Sequence, residues 1–293
     1  MISTKIFDIN IVGNTKMDVH KWLAISLKSD NKVMVAKVNS EFLLRAKDND
    51  EFRKYLQESD LIIPDGVGVL WAAKYLTIPV GRNSFIRTFQ AIWQVVYSGA
   101  AIIFRRKYVK YPIPETIPGI EAFRLMLRVA EEEGSGVFIF GSSKDALDVS
   151  VAQIRKEFPK LNISGTLNGY DYQTDKSINP VEIINNSDAK VLFVCLGSPK
   201  QEYWIRNNIR NLKNIQIAVG EGGTLDRIAS PKEAAPRWIN RIGLEWLWRL
   251  FVNKSKSETG NRSKRVWNAV PVFIYEVVKW KIKNGSVPVV SNK

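Results

Sequence analysis

Asp65 has the sequence context of a proton-transfer residue. It follows the short apolar run Leu61-Ile62-Ile63-Pro64 and opens into Gly66-Val67-Gly68. A carboxylate at a strand end inside a cleft is a candidate general base. Asp is also among the best helix N-caps, and the sequence leaves both roles open. Four other junctions carry polar or glycine-rich turns: Asn39-Ser40-Glu41, Gly141-Ser142-Ser143, Gly197-Ser198-Pro199-Lys200-Gln201-Glu202 and Gly220-Glu221-Gly222-Gly223-Thr224-Leu225-Asp226. The junction at Gly197 is the most informative. It follows the apolar run Val191-Leu192-Phe193-Val194-Cys195-Leu196 and sets Lys200, Gln201 and Glu202 on one helical turn. Three polar groups there are costly if only packing is required. Gly220, Gly222 and Gly223 mark a backbone that approaches a ligand closely or adopts positive φ. Gly141-Ser142-Ser143 resembles half of a dinucleotide fingerprint. It lacks the Gly-x-Gly-x-x-Gly spacing and reads as a plain strand-to-helix turn.

Other chemistry-bearing residues read as structural. Asp48-Asn49-Asp50 lies in polar sequence between helical stretches and reads as surface. The single His20 has no ligand partner nearby, and the single Cys195 lies inside a buried strand. One Cys and one His exclude a disulfide scaffold and speak against a Cys/His metal site.

These residues need a frame that brings them together. Apolar strands alternate with helical patterns up to residue 226, with strands expected at 6–12, 33–38, 61–63, 137–140, 162–167, 191–196 and 215–219. Repeated strand–helix units of this length imply an α/β fold with a mostly parallel sheet flanked by helices. In such a sheet the strand ends share one rim, where helix N-termini offer free N–H groups to phosphate. Residues 1–226 form the expected catalytic domain, interrupted by a basic, apolar insert at 77–117. Residues 227–293 show no strand rhythm and read as a helical, basic C-terminal appendage.

The net charge of +14 is concentrated. Residues 227–283 hold 13 Lys/Arg against 4 Asp/Glu, and residues 82–110 hold 6 Lys/Arg and no acid. Two basic segments on a neutral body point to an anionic surface partner. Both segments are also apolar. No charged residue falls between Arg87 and Arg105, and the tail mixes Trp267, Tyr275 and Trp280 with Lys279 and Lys281. Residues 88–104 are too short and too polar for a full span, and fit a shallow or re-entrant membrane segment. The Trp–Lys pairing of the tail suits a headgroup interface. Nucleic acid is not expected, because the aliphatic content around the cations exceeds what a phosphate-tracking groove needs. The N-terminus lacks a signal-peptide core, so a cytosolic setting or a cytosolic membrane face is expected. A homo-oligomer is left open.

Asn39, Pro64-Asp65-Gly66-Val67-Gly68, Phe138-Ile139-Phe140-Gly141, Gly169-Tyr170, Gly197-Ser198-Pro199-Lys200-Gln201-Glu202-Tyr203-Trp204 and Gly243-Leu244-Glu245-Trp246-Leu247-Trp248-Arg249-Leu250 share an order and a context. In these motifs the chain resembles the WecG/TagA/CpsF glycosyltransferases, over residues 5–76 and 115–252. The resemblance implies a Rossmann-like fold. It implies inverting transfer of a sugar, often N-acetylmannosamine, from a UDP-sugar donor to a polyprenyl-diphosphate-linked acceptor in cell-surface polysaccharide or teichoic-acid-type synthesis. No metal and no cofactor are implied, and the reaction takes place peripherally on the inner membrane face. The C-terminal appendage of such enzymes helps bind membrane and close the site.

Carried over by position, Asp65 is the catalytic base, and Asn39 and Gln201 lie near the sugar and acceptor. Gly141 and Gly197 belong to the substrate pocket. Gly220, Gly222, Gly223, Thr224 and Asp226 border the nucleotide, and Arg237, Arg241 and Arg249 reach for diphosphate or lipid headgroups. Departures from the pattern alter the charge lining. Lys37 stands where Thr is usual, Thr116 where Arg is usual, and residues 79–114 are extra. Lys37 or Arg237 is then the candidate to replace the missing diphosphate partner. The same departures raise the alternative of a nucleotide-sugar-binding relative that partners an active transferase.

Overall fold

The structure, a computed structural model, describes residues 2–230 and 260–291. The chain begins with an antiparallel hairpin, β1 (Ile2–Ile6) and β2 (Ile9–Val12), where one strand over 6–12 was expected. Ile6 faces Ile9 across Phe7 and Asp8, whose φ angles are 48° and 66°. Two consecutive positive φ values match the twist of a two-residue hairpin turn. Neither residue is glycine, so the usual turn signal was missing.

Helix α1 (Lys16–Ser26) starts at a capping box between Thr15 and Asp18. It leads to β3 (Val33–Val38), α2 (Ser40–Asp48), α3 (Asp50–Glu58), β4 (Leu61–Pro64) and α4 (Val67–Thr77). Asn49 accepts from Phe52 N and caps α3, so Asp48-Asn49-Asp50 is a helix junction. The insert folds as α5 (Ser84–Phe104) and the single turn α6 (Arg106–Val109). The alternation then resumes with α7 (Gly119–Glu132), β5 (Gly136–Gly141), α8 (Lys144–Glu157), β6 (Ile163–Leu167), α9 (Gly169–Thr174), α10 (Pro180–Asn185) and β7 (Ala189–Cys195). It ends with α11 (Lys200–Asn208), β8 (Ile217–Gly220) and α12 (Thr224–Ala229).

Strands β3 to β8 form one parallel, Rossmann-like sheet in the order β4-β3-β8-β7-β5-β6. Its strands alternate between two cores. Val35, Ile139, Phe193 and Val219 face one, with α1, α7, α8 and α12. Ala36, Phe138, Leu192 and Ala218 face the other, with α2, α3, α4 and α11. Burial on both faces explains why these strands read as continuous apolar runs. His20 lies outside both cores and pairs with Glu132 at 2.8 Å.

The insert covers α4. Trp71 Nε1 donates to Ser98 Oγ at 2.9 Å, and Tyr75 Oη donates to the carbonyl of Ala91 at 3.0 Å. These pins set α5 antiparallel to α4, with Ala91, Ser98 and Ala101 buried at the contact. Lys74 lies over the Tyr108 ring at 4.3 Å and ties down α6. Among the described residues, no helix is long and apolar enough to cross a membrane.

After residue 259 the chain forms α13 (Gly260–Asn284), packed on α2, α4 and α5. It then ends in β9 (Val290–Ser291), which pairs with β1 where only helix was expected. Phe273, Val277 and Lys281 are buried, and Trp280 packs on the core. The Trp–Lys end of the tail, expected at headgroups, instead docks on the protein. Lys281 Nζ donates to the Tyr75 carbonyl and to Gln94 Oε1 (2.6 Å), and lies 4.2 Å from the Tyr75 ring centroid. One ammonium thus joins α13, α4 and α5.

Burial brings the Lys281 ammonium down to about 7 from 10.5. Between those values the unfolded chain binds more protons, so this residue makes stability rise with pH. Below pH 7 the charged form is buried and the contribution is lost. The difference in unfolding free energy between wild type and Lys281→Met is expected to grow by about 1 kcal/mol per pH unit above pH 7. Denaturant melts at pH 6, 7, 8 and 9 measure it. A constant difference would show that Lys281 keeps its ordinary affinity for protons.

Candidate active site

The carboxyl ends of the parallel strands bring four of the five sequence-marked turns into one arc. β4 delivers Asp65, whose backbone N–H bonds the Val38 carbonyl at 2.8 Å and so fixes the Asp65 turn beside the end of β3. Gly66 occupies the N-cap position of α4, with φ 92° and no side-chain cap. Asp65 thus stands one residue ahead of the N-cap position. The start of α7 crosses over Asp65. A Cβ built on Gly119 would lie 3.4 Å from Asp65 Oδ2 and 3.8 Å from Lys37 Nζ. The carboxylate and the ammonium thus flank one point, and a Cβ at residue 119 would touch both at ordinary van der Waals distance.

Lys37 leaves β3 and reaches under the arc to Glu221, with Nζ 2.5 Å from Oε2. Glu221 follows β8, and its side chain is fully buried. Thr224 Oγ1 donates to the same Oε2 at 2.8 Å, while Oε1 has no hydrogen-bond partner among the described residues. Burial pushes the Glu221 carboxyl up, and the Lys37 charge opposes that push. Glu221 is the site residue that sequence reasoning missed. Its signal was present, an acid set between glycines in the loop after β8.

Gln201 is buried at the start of α11. Its Oε1 accepts from Gly222 N at 2.8 Å, and its Nε2 donates to Glu202 Oε1 at 2.7 Å. A Cβ on Gly220 would sit 2.6 Å from Gln201 Nε2, so the glycine is what admits the amide. Gln201 therefore braces the glycine loop from within. Glu202 is also buried, and burial raises its carboxyl, while Lys200 points to solvent. Asn39 caps α2, accepting from Phe42 N at 3.0 Å. Gly197, with φ 78°, supplies the turn before α11.

A second cleft opens on the other side of β7. It holds about 280 Å³ and is lined by Ser142, Ser143, Gly169, Tyr170, Gln173 and Cys195, with Leu196. Gly141 directly precedes Ser142 of its lining. With φ 117°, a Cβ there would fall 2.5 Å from the carbonyl carbon of Cys195. Ser143 caps α8, and Ser142 Oγ donates to Asp226 Oδ1 at 3.3 Å. Burial pushes the Cys195 thiol well up, which leaves it unreactive. Gly223 begins α12, and Thr224 turns inward to Glu221 rather than toward this cleft. Arg237, Arg241 and Arg249 lie outside the described residues. Among the described residues, no cluster of acids, His and Cys could hold a metal ion.

The description "Glycosyl transferase WecG/TagA/CpsF family" is matched by residues 4–95 and 81–286, two stretches that overlap within the insert. The chain is 28% identical over 227 residues to the N-acetylglucosaminyldiphosphoundecaprenol N-acetyl-beta-D-mannosaminyltransferase of Bacillus subtilis (strain 168), covering 76% of this chain and 74% of that one. The enzyme of the same name from Staphylococcus aureus (strain MRSA252) is 22% identical over 256 residues, covering 87% of this chain and 84% of its own. With the parallel sheet and the rim residues in place along that match, the chain belongs to the WecG/TagA/CpsF family of glycosyltransferases.

Proposed function

We propose that this chain transfers N-acetylmannosamine, or a related hexose, from a UDP-sugar to an N-acetylglucosamine carried on a polyprenyl diphosphate. The names of its relatives specify such an acceptor and a mannosaminyl group transferred in β linkage. The observation that carries the reading is Asp65 at the rim beside Lys37, under the start of α7. Asp65 takes the proton of the acceptor hydroxyl as its oxygen attacks the anomeric carbon. The bond from that carbon to the UDP oxygen breaks on the opposite side, with inversion. UDP leaves with negative charge, which helix N-termini and cations must stabilise where no metal acts. The N-terminus of α8, at the cleft lined by Ser142 and Tyr170, offers N–H groups to the part of the nucleotide farther from Asp65. Lys37 supplies positive charge beside the base, at a rim where residue 116 is Thr. A polyprenyl tail lies in a bilayer, which supports a reaction at a membrane surface, and the face proposed is the cytoplasmic one.

Asp65→Asn is expected to lower turnover by about 10²–10⁴-fold while UDP affinity stays within twofold of wild type. Product formation followed by mass spectrometry, with calorimetric UDP titration, tests both halves. Near-normal turnover would place the base elsewhere.

Lys37 has a structural and a chemical share, and these separate. Lys37→Ala leaves Glu221 buried without its partner, a loss of about 3–5 kcal/mol in stability. The pair Lys37→Thr with Glu221→Gln removes both charges and is expected to recover most of that stability. Turnover of the double variant is expected to stay at least about tenfold low, the size of one lost charge contact at roughly 1.5–3 kcal/mol. Recovery of both stability and turnover would make Lys37 a purely structural residue.

A further inference from the structure

Helix α5 is apolar on two sides, and the fold uses one. Its inner side, with Ala91, Ser98 and Ala101, is buried on α4. On the outer side, Phe85, Phe89, Ile92, Trp93, Val96 and Phe104 are exposed, Phe85 by 84% and Phe104 by 82%. The spacing 85, 89, 92, 96 is that of one helical face, and Trp93 and Phe104 lie beside it. A contiguous face of this size on a soluble body marks an interaction site. No acid lies between residues 82 and 110, and exposed Arg82 stands before the helix while exposed Arg105, Lys107 and Lys110 follow it. The helix is also pinned. Arg87 Nη1 donates to the Ile282 carbonyl of α13 at 3.2 Å, and Gln94 Nε2 to the Pro79 carbonyl at 2.9 Å. Its outer face therefore points outward as a fixed feature.

We propose that this outer face is the surface by which the protein docks on an anionic lipid bilayer, with α5 lying flat at the headgroup boundary. An apolar stripe with aromatic residues, ended by cations, has the chemistry of an interfacial helix. A second copy of the chain fits worse, because its α5 would bring the same cations and no acid to meet them. Antiparallel packing on α4 directs the Phe104 end of α5 toward the end of α4 where Asp65 sits. Docking by this face thus sets the site close to the headgroups, with Arg105, Lys107 and Lys110 on that side. The purpose of docking rests on the transfer reading; the docking itself is measured without turnover.

The test uses the full chain and co-sedimentation with vesicles of phosphatidylglycerol and phosphatidylcholine, or of phosphatidylcholine alone. Wild type is expected to bind the anionic vesicles at least about tenfold more tightly, and Phe89→Glu with Trp93→Glu to lose at least about tenfold of that affinity. Both substitutions are on outward residues, and an unchanged thermal melt verifies the fold. Turnover on a water-soluble, short-chain acceptor is expected to be unchanged. Wild-type vesicle affinity in the double variant would overturn the assignment. So would a wild-type dimer that the substitutions turn into a monomer without loss of vesicle binding. If the transfer reading alone fails, neither protein turns over the soluble acceptor, yet the difference in vesicle binding persists.

Discussion

A sheet of parallel strands buried on both faces dictates where charge can stand in this protein. Phe138 and Ile139, or Leu192 and Phe193, are successive residues that enter different cores, so no side of the sheet is left for solvent. A polar group inside either core would cost several kcal/mol without a partner. The strand ends escape this, because the chain turns there and backbone N–H groups of the following helices come free. At the carboxyl rim stand Asp65, Lys37 with Glu221, Gln201 with the glycine loop, and the Ser142 cleft. The glycines follow from the same crowding. Gly220 admits the Gln201 amide, and Gly141 lets β5 and β7 meet at van der Waals distance.

The Lys37–Glu221 pair is the most demanding part of this rim. Two opposite charges removed from water roughly break even at best against an apolar pair of similar volume. Here the geometry is incomplete, since Glu221 Oε1 has no hydrogen-bond partner among the described residues. Stability alone would favour a smaller, neutral pair at these positions. A pair that persists with an unsatisfied oxygen, beside the carboxylate proposed to act as base, fits a site shaped for chemistry over packing. The buried acid holds the ammonium in one place, so the cation next to Asp65 is positioned before substrate arrives.

What could be read from the sequence follows the same physics. The parallel strands were legible because double burial demands unbroken apolar runs. The rim turns were legible because glycines and polar groups break the apolar runs there. The hairpin was hidden, since Phe7 and Asp8 take positive φ without being glycine. The tail misled because Trp and Lys beside each other suit a membrane interface and also suit a lysine bonded to a carbonyl over an aromatic ring, as Lys281 is over Tyr75. Composition does not separate these cases; only the position of α4 beneath the tail does. Gln201 was found by pattern, but its internal bracing of Gly222 depends on β8 lying beside β7, a neighbour relation no local window contains.

The insert shows how one helix can be both a structural and an external element. Small residues at Ala91, Ser98 and Ala101 let α5 approach α4 closely, and the Trp71 and Tyr75 bonds fix its register. Apolar side chains on the far side contribute nothing to that seat. Left in water, a Phe or Trp forfeits about 1.5–3 kcal/mol of available burial. A helix needed only to cover α4 would carry polar residues on that side, as α3 does with Asp50, Glu51 and Lys54. The outer apolar face of α5 therefore answers to something beyond the fold. Its position along α4, pinned by two side-chain bonds and by the Lys281 clasp from α13, couples that outside contact to the rim where Asp65 stands.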